Sequence, residues 1–410
     1  MKVLVIGSGK MGAASAWDLV KHAEVQAVGI VGRRRSNLER VRKWINSNKL
    51  LAHSLDVTNT EDTKRLMREY DVGIISLPER KGSYKAVEAA IEAGVNVVDI
   101  IEEYHRRPQP YEAEGLEIPN QMTPEEYGEW LHEKAVEKDV IVLDGLGFAP
   151  GLSNITVGDA IRRMDKAESA IARAGGIPSR ETSEKHPLKY MITWRFEHVL
   201  REYTVGVEVI KNGKVVKVPA LTERERFRFT KLGRNEELEC AVTPGMPSYI
   251  YTRPQLTEFA EKTIRWPGHY EGIDTLRECG MLDLTPVEVK GVKIVPRDFF
   301  LSVISPKLKP LEGDTDVCVM WNTVTGTRDG EKMRIDYYMW EEADTENGIS
   351  AMGKVTGFSA AIGAMLVGRG EIRKKGIVAP EDAIEGKIYQ KFMEELRNRN
   401  ITILEVHKAG

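Results

Sequence analysis

The first 150 residues alternate short apolar runs with amphipathic segments. Apolar runs of strand length cover residues 3–6, 25–31, 71–78, 96–100 and 140–143, and helical periodicity covers residues 37–47, 62–69, 84–93 and 125–138. Alternating strands and helices are typical of a parallel sheet that has helices on both faces. The pattern therefore predicts an α/β Rossmann fold, a doubly wound parallel sheet.

From about residue 168 the pattern changes to β-rich runs separated by turns. These runs cover residues 167–174, 190–194, 205–211, 215–218, 262–266, 317–326 and 332–341, with turns at 212–213 and 328–330. They predict an inserted α+β domain with a mostly antiparallel sheet. Residues 349–366 and two later segments are helical in pattern and should return to cover the first sheet. We therefore assign residues 1–150 and 350–410 to the nucleotide-binding domain and 151–349 to the inserted domain.

Composition narrows the class of protein. The chain has 410 residues, 59 Lys plus Arg against 62 Asp plus Glu, and a net charge of −3, so no overall positive field favours nucleic acid or an anionic membrane. The apolar stretch 355–368 is shorter than the roughly twenty residues that a spanning helix needs. Three distant cysteines predict neither a disulfide framework nor a zinc site. A cytoplasmic protein without a metal is expected.

A glycine motif follows the first apolar run. Gly7, Gly9 and Gly12 form a GxGxxG pattern between a strand and a helix, which is the context in which the motif indicates a dinucleotide site. The first glycine permits the turn, the second lets a pyrophosphate approach the backbone, and the third lets helix and strand pack closely. An ordinary glycine-rich turn is the alternative interpretation.

The end of the second strand indicates the choice of cofactor. Gly32 precedes three arginines, Arg33 to Arg35, where an acidic residue would favour NAD. Guanidinium groups match the oxygens of a 2′-phosphate, so NADP is favoured, with NAD as the second choice and a solvated basic turn as the alternative. Later strand ends and the loop 144–154 should also border the nucleotide. The predicted cofactor contacts are Gly7, Ser8, Gly9, Lys10, Met11, Gly12, Arg33, Arg34, Arg35, Asp56, Ser76, Leu77, Pro78, Phe148 and Pro150.

Several segments together resemble the saccharopine dehydrogenase-like family, and most closely its lysine 6-dehydrogenase branch. The resemblance covers nearly the whole chain and rests on residues 7–12, 144–154, 175–178, 187–194, 202–204, 210–214, 265–269, 276–280 and 355–361. It implies a Rossmann domain, an inserted domain that binds substrate and forms a homodimer interface, and oxidation or reduction of a C–N bond in an amino acid. The arginines after Gly32 are similar to those of the NADP-using saccharopine reductases, and residues 106–122 look like an insertion.

Such a reaction needs a base that removes a proton from the substrate amine. Four residues at or after strand ends are predicted to be catalytic, although each could have a structural role instead: Asp99, Tyr104, His105 and Asp144. Carboxylates could hold the amine and cations could hold a carboxylate, with solvated loops and surface ion pairs as the alternatives. The predicted substrate contacts are Glu103, Asn154, Lys189, Arg195, Arg201, Tyr203 and His269, and Arg265 is a further candidate cation.

The predicted function is therefore an NAD(P)-dependent amino-acid dehydrogenase with a basic amino acid as its small-molecule substrate. Two alternatives stay open. One is a reductase that condenses an amino acid with an aldehyde through an imine, and the other is an NADP(H)-binding sensor without turnover.

Overall fold

A computed structural model of the chain describes residues 1–108 and 116–409. The N-terminal elements are β1 (Lys2–Ile6), α1 (Lys10–Leu19), β2 (Ala27–Gly32), α2 (Arg35–Ile45), β3 (Leu50–Ser54), α3 (Thr60–Met67), β4 (Val72–Ile75), α4 (Arg80–Ala93), β5 (Asn96–Asp99), α5 (Pro124–Glu137), β6 (Ile141–Leu143) and α6 (Leu152–Arg162), with a 3₁₀ turn at Pro119–Gln121. Much of the predicted insertion at 106–122 lies outside the described residues.

The middle of the chain contains β7 (Lys166–Pro178), α7 (Arg180–Lys185), a 3₁₀ turn at Pro187–Lys189, α8 (Phe196–Glu202), β8 (Gly206–Lys211), β9 (Lys214–Pro219), β10 (Glu225–Phe229), β11 (Glu236–Val242), α9 (Tyr249–Thr252), β12 (Glu258–Arg265), α10 (His269–Glu278), β13 (Val287–Val289), β14 (Val292–Ile294), α11 (Pro296–Leu308), β15 (Asp316–Arg328) and β16 (Glu331–Glu342). The last elements are α12 (Ala351–Gly368), β17 (Gly376–Val378), α13 (Pro380–Ala383), α14 (Gly386–Asn398) and β18 (Leu404–Ala409).

The first sheet confirms the predicted Rossmann architecture. Its strands run in the order β17-β6-β5-β4-β1-β2-β3, and all neighbouring pairs are parallel. The central strands β1 and β4 are almost wholly apolar and buried because helices cover both faces of the sheet. Their carboxyl ends therefore meet at one edge, where ligands bind in doubly wound sheets.

The second sheet is mixed and mostly antiparallel, as predicted. Its main order is β10-β11-β12-β7-β15-β16-β18, and only the β12–β7 pair of this path is parallel. Asn212 and Gly213 adopt positive φ in the turn between β8 and β9, as the hairpin prediction requires. The predicted strand at 190–194 is wrong, because this segment follows a 3₁₀ turn and runs irregularly along a cleft.

The C-terminal segment contributes to both sheets. The apolar helix α12 packs on α1 and on β4 and β5, as expected, and it also contacts β15. It is long and apolar enough to span a membrane, but 83% of it is buried within the protein, as in a core helix. Strand β17 joins the first sheet, whereas β18 pairs with β16 in the second. The last six described residues thus extend the second sheet.

Candidate active site

A cleft of about 610 Å³ lies where the carboxyl ends of β1, β2 and β4 face the second sheet. Its volume is within the range of small-molecule and cofactor sites. One wall comes from the glycine turn and strand ends of the first sheet, and the other from β7, β12, α8 and the irregular segment before α8. The predicted cofactor contacts found in the lining are Gly7, Ser8, Gly9, Lys10, Met11, Arg33, Arg34, Asp56, Ser76, Leu77, Pro78, Phe148 and Pro150.

The glycine turn has the geometry of a phosphate cradle. Gly7 has φ +119°, and a Cβ there would lie 2.1 Å from the carbonyl oxygen of Ser76. A Cβ on Gly12 would lie 2.0 Å from the carbonyl oxygen of Gly7, so this glycine lets α1 pack against the turn rather than lining the cleft. Gly9 caps α1 without a side-chain hydrogen bond and faces open space. The free N–H groups of the helix N-terminus can therefore receive a pyrophosphate.

Replacing Gly9 with valine is expected to weaken nucleotide binding by about tenfold or more, equivalent to about 1.4 kcal/mol, while the protein keeps its stability. The reason is that Gly9 has an extended backbone and a Cβ at this position would meet no atom within 4 Å, so the new side chain enters only the cradle. Fluorescence titration with NADPH and thermal unfolding measure the two effects. Gly12→Ala is the contrast, since its Cβ meets backbone and should lower stability.

The end of β2 packs closely against the glycine turn. A Cβ on Gly32 would lie 2.3 Å from the Ser8 hydroxyl oxygen, so a larger residue there requires the Ser8 side chain to move. Asn37 fixes this arrangement by donating to the carbonyl oxygen of Ser8 at 2.6 Å and to its hydroxyl at 2.9 Å. Arg33 is 69% exposed and lies 3.8 Å from Asp56, which leaves its guanidinium available to a ligand. Arg35 begins α2 and does not line the cleft.

The predicted catalytic residues lie behind the cleft wall rather than in it. Asp99, His105 and Asp144 are 0%, 0% and 2% exposed, and Tyr104 is also buried. His105 Nδ1 and its backbone N–H both donate to the Asp144 carboxylate at 2.7 Å. His105 Nε2 lies 2.8 Å from the hydroxyl of Ser83, which in turn donates to Asp99. The network joins β5, β6 and α4 to the loop after β5, so its side chains hold that loop and do not reach the cleft.

Opposite charges on the His105 imidazole and its neighbouring carboxyls stabilise this network. Burial opposes a charged His105, but the Asp144, Asp99 and Glu103 carboxyls together outweigh burial and raise the pKa of the imidazole to about 9. Burial raises the pKa of Asp99 to about 6, against the opposing effect of His105. His105 is thus a buried imidazolium between carboxyls, which is a structural ion pair.

The predicted substrate contacts separate into two groups. Arg195 and Arg201 line the cleft, and Arg195 Nη1 also donates to the carbonyl oxygen of Pro78 across it at 3.3 Å. Glu103 is buried and pairs with Arg80, with Nε and Oε2 2.8 Å apart. The structure therefore places Glu103 in the wall, where the charge it carries is already paired.

The remaining predicted substrate contacts lie outside the cleft lining. Asn154 accepts from the Gly151 N–H at 2.9 Å and donates to the buried Glu381 at 3.0 Å, so it holds the loop before α6. Lys189 lies in a separate surface depression beside α7. Tyr203 and His269 are buried behind Arg265 and position it, since Arg265 Nε donates to the Tyr203 hydroxyl at 2.8 Å.

Sequence reasoning missed two acidic residues of the cleft, Glu202 and Glu261. Glu102 belongs to the acidic stretch after β5, whose carboxylates were expected to hold the amine, and Arg265 was a further candidate cation. Glu261 and Arg265 share one face of β12 with Thr263, as the two-residue period of a strand requires. The sequence did contain a signal for this pair, because charged residues stand at alternate positions of an otherwise buried strand. Glu202 and His198 share one face of α8 by their spacing of four.

These buried acids have strongly altered ionisation. Burial raises the pKa of Glu202 to about 7 and that of Glu261 to about 8, although Arg265 and hydrogen bonds oppose the shift. Burial and the neighbouring Glu202 carboxyl raise the pKa of Glu102 well above its usual range. Perturbed carboxyls that converge on a cleft beside a nucleotide cradle are suited to bind a cation or to transfer a proton.

Comparisons with known proteins agree with this geometry. The family model of the saccharopine dehydrogenase NADP binding domain matches residues 3–143, and that of the saccharopine dehydrogenase C-terminal domain matches residues 147–401. Carboxyaminopropylagmatine dehydrogenase of Synechocystis is 22% identical over 93% of this chain and 92% of its own. Saccharopine dehydrogenase [NADP(+), L-glutamate-forming] of Schizosaccharomyces pombe is 24% identical over 70% of this chain, and the match spans 59% of that protein.

A solved structure shows the same fold. Saccharopine dehydrogenase (L-Glu forming) from Saccharomyces cerevisiae superposes with a TM-score of 0.77 at 20% identity, covering all of both chains. The two family models together account for nearly all of the described chain, including both walls of the cleft. The match of both domains, in order, identifies an oxidoreductase with a nicotinamide-nucleotide site, and the chain belongs to the saccharopine dehydrogenase family.

Proposed function

We propose that this protein is an NADP-dependent oxidoreductase that acts on a C–N bond of a basic amino acid. The observation that carries the proposal is that Glu102, Glu202 and Glu261 line the same cleft as the glycine turn of the nucleotide cradle. Carboxyl groups there attract a cationic amine to the place where a nicotinamide ring would lie. The pKa values of Glu202 and Glu261, near neutrality, suit proton exchange with that amine.

The protein's own residues supply position and proton transfer. Nicotinamide, when bound, accepts or donates the hydride. A substrate amine must lose a proton before its lone pair can assist loss of hydride from the adjacent carbon, and a cleft carboxylate takes that proton. Arg265 and Arg201 provide guanidinium groups for a substrate carboxylate, which fixes the orientation of the reacting carbon.

NADP is proposed over NAD on the basis of the end of β2. Arg33 and Arg34 line the cleft there, and Gly32 stands where an acidic side chain would bind an unphosphorylated ribose. The match to an NADP binding domain supports the same choice.

A reductase that condenses an amino acid with an aldehyde is the second candidate. It is favoured by the Synechocystis relative, which matches along nearly all of both chains and whose name describes an agmatine with a carboxyaminopropyl group. A cleft with both acidic and basic side chains would accommodate the amine and carboxylate groups of such a joined product.

A homodimer in the cytoplasm belongs to the proposal as well, on the basis of the sequence resemblance and composition.

Nicotinamide absorbance tests these alternatives directly. The protein is incubated with NADP⁺ or NAD⁺ and L-lysine, L-ornithine, L-arginine or saccharopine, and with NADPH and an amino acid plus an aldehyde. Reduction of NADP⁺ by a single diamino acid is the expected result. NADPH oxidation only when amine and aldehyde are both present identifies the condensing reductase. Tight NADPH binding without turnover in either direction contradicts both and favours the sensor.

A further inference from the structure

Three carboxyl groups converge in the cleft from three separate elements. Glu102 lies in the loop after β5, Glu202 at the end of α8, and Glu261 on β12. Glu202 and Glu261 are only 7% and 4% exposed. Like charges that are buried together repel strongly, so an arrangement of three carboxylates requires protons or a cation to balance it.

Glu102 and Glu202 lie close enough for each carboxyl to act on the ionisation of the other. Two ionised carboxylates are both acceptors only, so the pair can share a hydrogen bond only when one of them is protonated. Glu102 Oε1 is buried and has no hydrogen-bond partner among the described residues. A buried acceptor without a partner is costly, and a donor from a ligand would relieve that cost.

Fewer positive groups than negative groups surround these carboxyls. Glu102 faces Glu202, Glu261 and Glu103, while Arg265 acts on Glu202 and Glu261 and Arg201 acts on Glu202. The Thr243 hydroxyl donates to Glu261 Oε2 at 2.7 Å. Glu103 is itself paired with Arg80. Negative charge thus exceeds positive charge within the cluster once all three acids are ionised.

Arg265 gives a second and independent indication of a ligand. It is 4% exposed and lines the cleft, and its Nε and Nη1 donate to the Tyr203 hydroxyl at 2.8 Å and to the carbonyl oxygen of Ile264 at 2.9 Å. Among the described residues, Nη2 has no acceptor. His269 accepts from Tyr203 at 3.1 Å and donates from Nδ1 to the Leu188 carbonyl oxygen at 2.8 Å, which orders this chain of hydrogen bonds.

The direction of these hydrogen bonds leaves Arg265, and not His269, as the positive charge that faces the cleft. Burial lowers the pKa of His269 to about 3, with Arg265 acting in the same direction, so the imidazole stays neutral. A neutral His269 with Nδ1–H donating must accept at Nε2, and the Tyr203 oxygen is then free to accept from Arg265. The guanidinium is held in place for an anionic group of a ligand.

We propose that Glu102, Glu202 and Glu261 form a subsite for one cationic nitrogen group, and that a ligand enters it by displacing a proton held by these three carboxyls. Arg265 Nη2 receives the carboxylate of the same ligand. This inference rests on the proposed function for its substrate class, a zwitterion with an additional ammonium or guanidinium group. It adds that substrate binding and proton release are linked.

The linkage has a definite direction. Raised pKa values mean that the free protein retains protons on these acids at neutral pH, and a bound cation favours the ionised form. Binding should therefore release protons, and affinity should rise with pH across the range from about 6 to about 8. In the absence of ligand, the same raised values make the folded state lose stability as pH rises above the usual glutamate range and through about 8.

Calorimetry with the NADPH-loaded protein tests the subsite without turnover. L-Lysine, L-ornithine and L-arginine are titrated in two buffers of different ionisation enthalpy, and 1,5-diaminopentane serves as a ligand without a carboxylate. We expect net proton release with at least one amino acid and weaker binding of the diamine. Glu202→Gln should reduce the proton release and weaken binding by about thirtyfold or more, because one partner of a buried charge pair is removed.

A matched control is Glu239→Gln. Glu239 is 4% exposed on the neighbouring strand β11, burial raises its pKa, and it does not line the cleft. This variant should keep both affinity and proton release. Thermal unfolding between pH 5 and 9 verifies folding, and Glu202→Gln should flatten the loss of stability at high pH.

Each outcome separates the subsite from the enzymatic function. Binding without proton release, unchanged proton release in Glu202→Gln, or no binding by any of the four compounds overturns the subsite. Proton-linked binding together with absent turnover leaves the subsite in place and contradicts the proposed reaction. Turnover without proton-linked binding supports the proposed reaction and overturns the subsite.

Discussion

Replacing Asp144 with alanine is expected to lower the free energy of unfolding by about 3–5 kcal/mol, the cost of breaking a buried ion pair from one side. Asp144 accepts two hydrogen bonds at 2.7 Å from His105, one from the ring and one from the backbone N–H. Removing the carboxylate leaves a buried imidazole without its main counter-charge and a buried N–H without an acceptor. Chemical denaturation at pH 6 measures the change.

The pH dependence identifies the charged part of this effect. The folded pKa of His105 is about 9 against an ordinary value of 6.5. Its contribution is therefore fully present below pH 6.5 and is lost as pH rises through about 9. The difference between wild type and Asp144→Ala should shrink over that interval and keep a residual part from the backbone hydrogen bond.

A carboxylate at the surface provides the control for this prediction. Asp274 is partly exposed, with 24% of its side chain accessible, and pairs with Arg277 at 2.7 Å and with Arg224 at 2.6 Å. Asp274→Ala should cost about 0–1 kcal/mol, as is usual for surface ion pairs. Equal losses in the two variants, or a pH-independent loss in Asp144→Ala, would contradict the buried imidazolium. A further consequence is indirect, because the loop that carries Glu102 depends on His105 for its position.

Replacing both Arg33 and Arg34 with alanine is expected to weaken NADPH binding by about a hundredfold or more, while NADH binding changes little. Hydrogen bonds to a charged group contribute about 1.5–3 kcal/mol each, and about 1.4 kcal/mol corresponds to tenfold in affinity. Both arginines line the cleft at the end of β2, where the 2′-phosphate of a bound nucleotide would lie. Fluorescence titrations with NADPH and NADH give the ratio of affinities.

Arg35→Ala is the control because it removes a positive charge directly beside Arg33 and Arg34 in the sequence. Arg35 begins α2 and does not line the cleft, so its loss should leave the ratio unchanged. Equal weakening of NADPH and NADH by the double variant would remove the basis for proposing NADP. Equal effects of Arg35→Ala and the double variant would mean that the turn acts only as a diffuse positive surface.

Local sequence patterns predicted the elements whose conformation depends on only a few neighbouring residues. The GxGxxG turn, the parallel strands and the hairpin at Asn212 and Gly213 each depend on backbone conformation and on hydrophobic period, which a short segment contains. The segment 190–194 was mistaken for a strand because its apolar and β-branched residues pack into a cleft wall rather than a sheet. Residue type alone does not distinguish those two environments.

By itself, the sequence predicted the fold class and the glycine turn, because strand and helix periodicity and the glycine spacing are properties of contiguous residues. The family followed from the resemblance of several motif segments, which the two family models confirm. Only the tertiary structure decided which charged residues line the cleft. Asp99, His105 and Asp144 stand at strand ends, as catalytic groups often do, yet packing closes them into a buried network. Glu102, Glu202 and Glu261 come from positions up to 159 residues apart in number, and the facing of the two sheets brings them together. Burial and mutual repulsion alter ionisation only after the chain has folded, so the acids that matter could not be chosen from their local sequence.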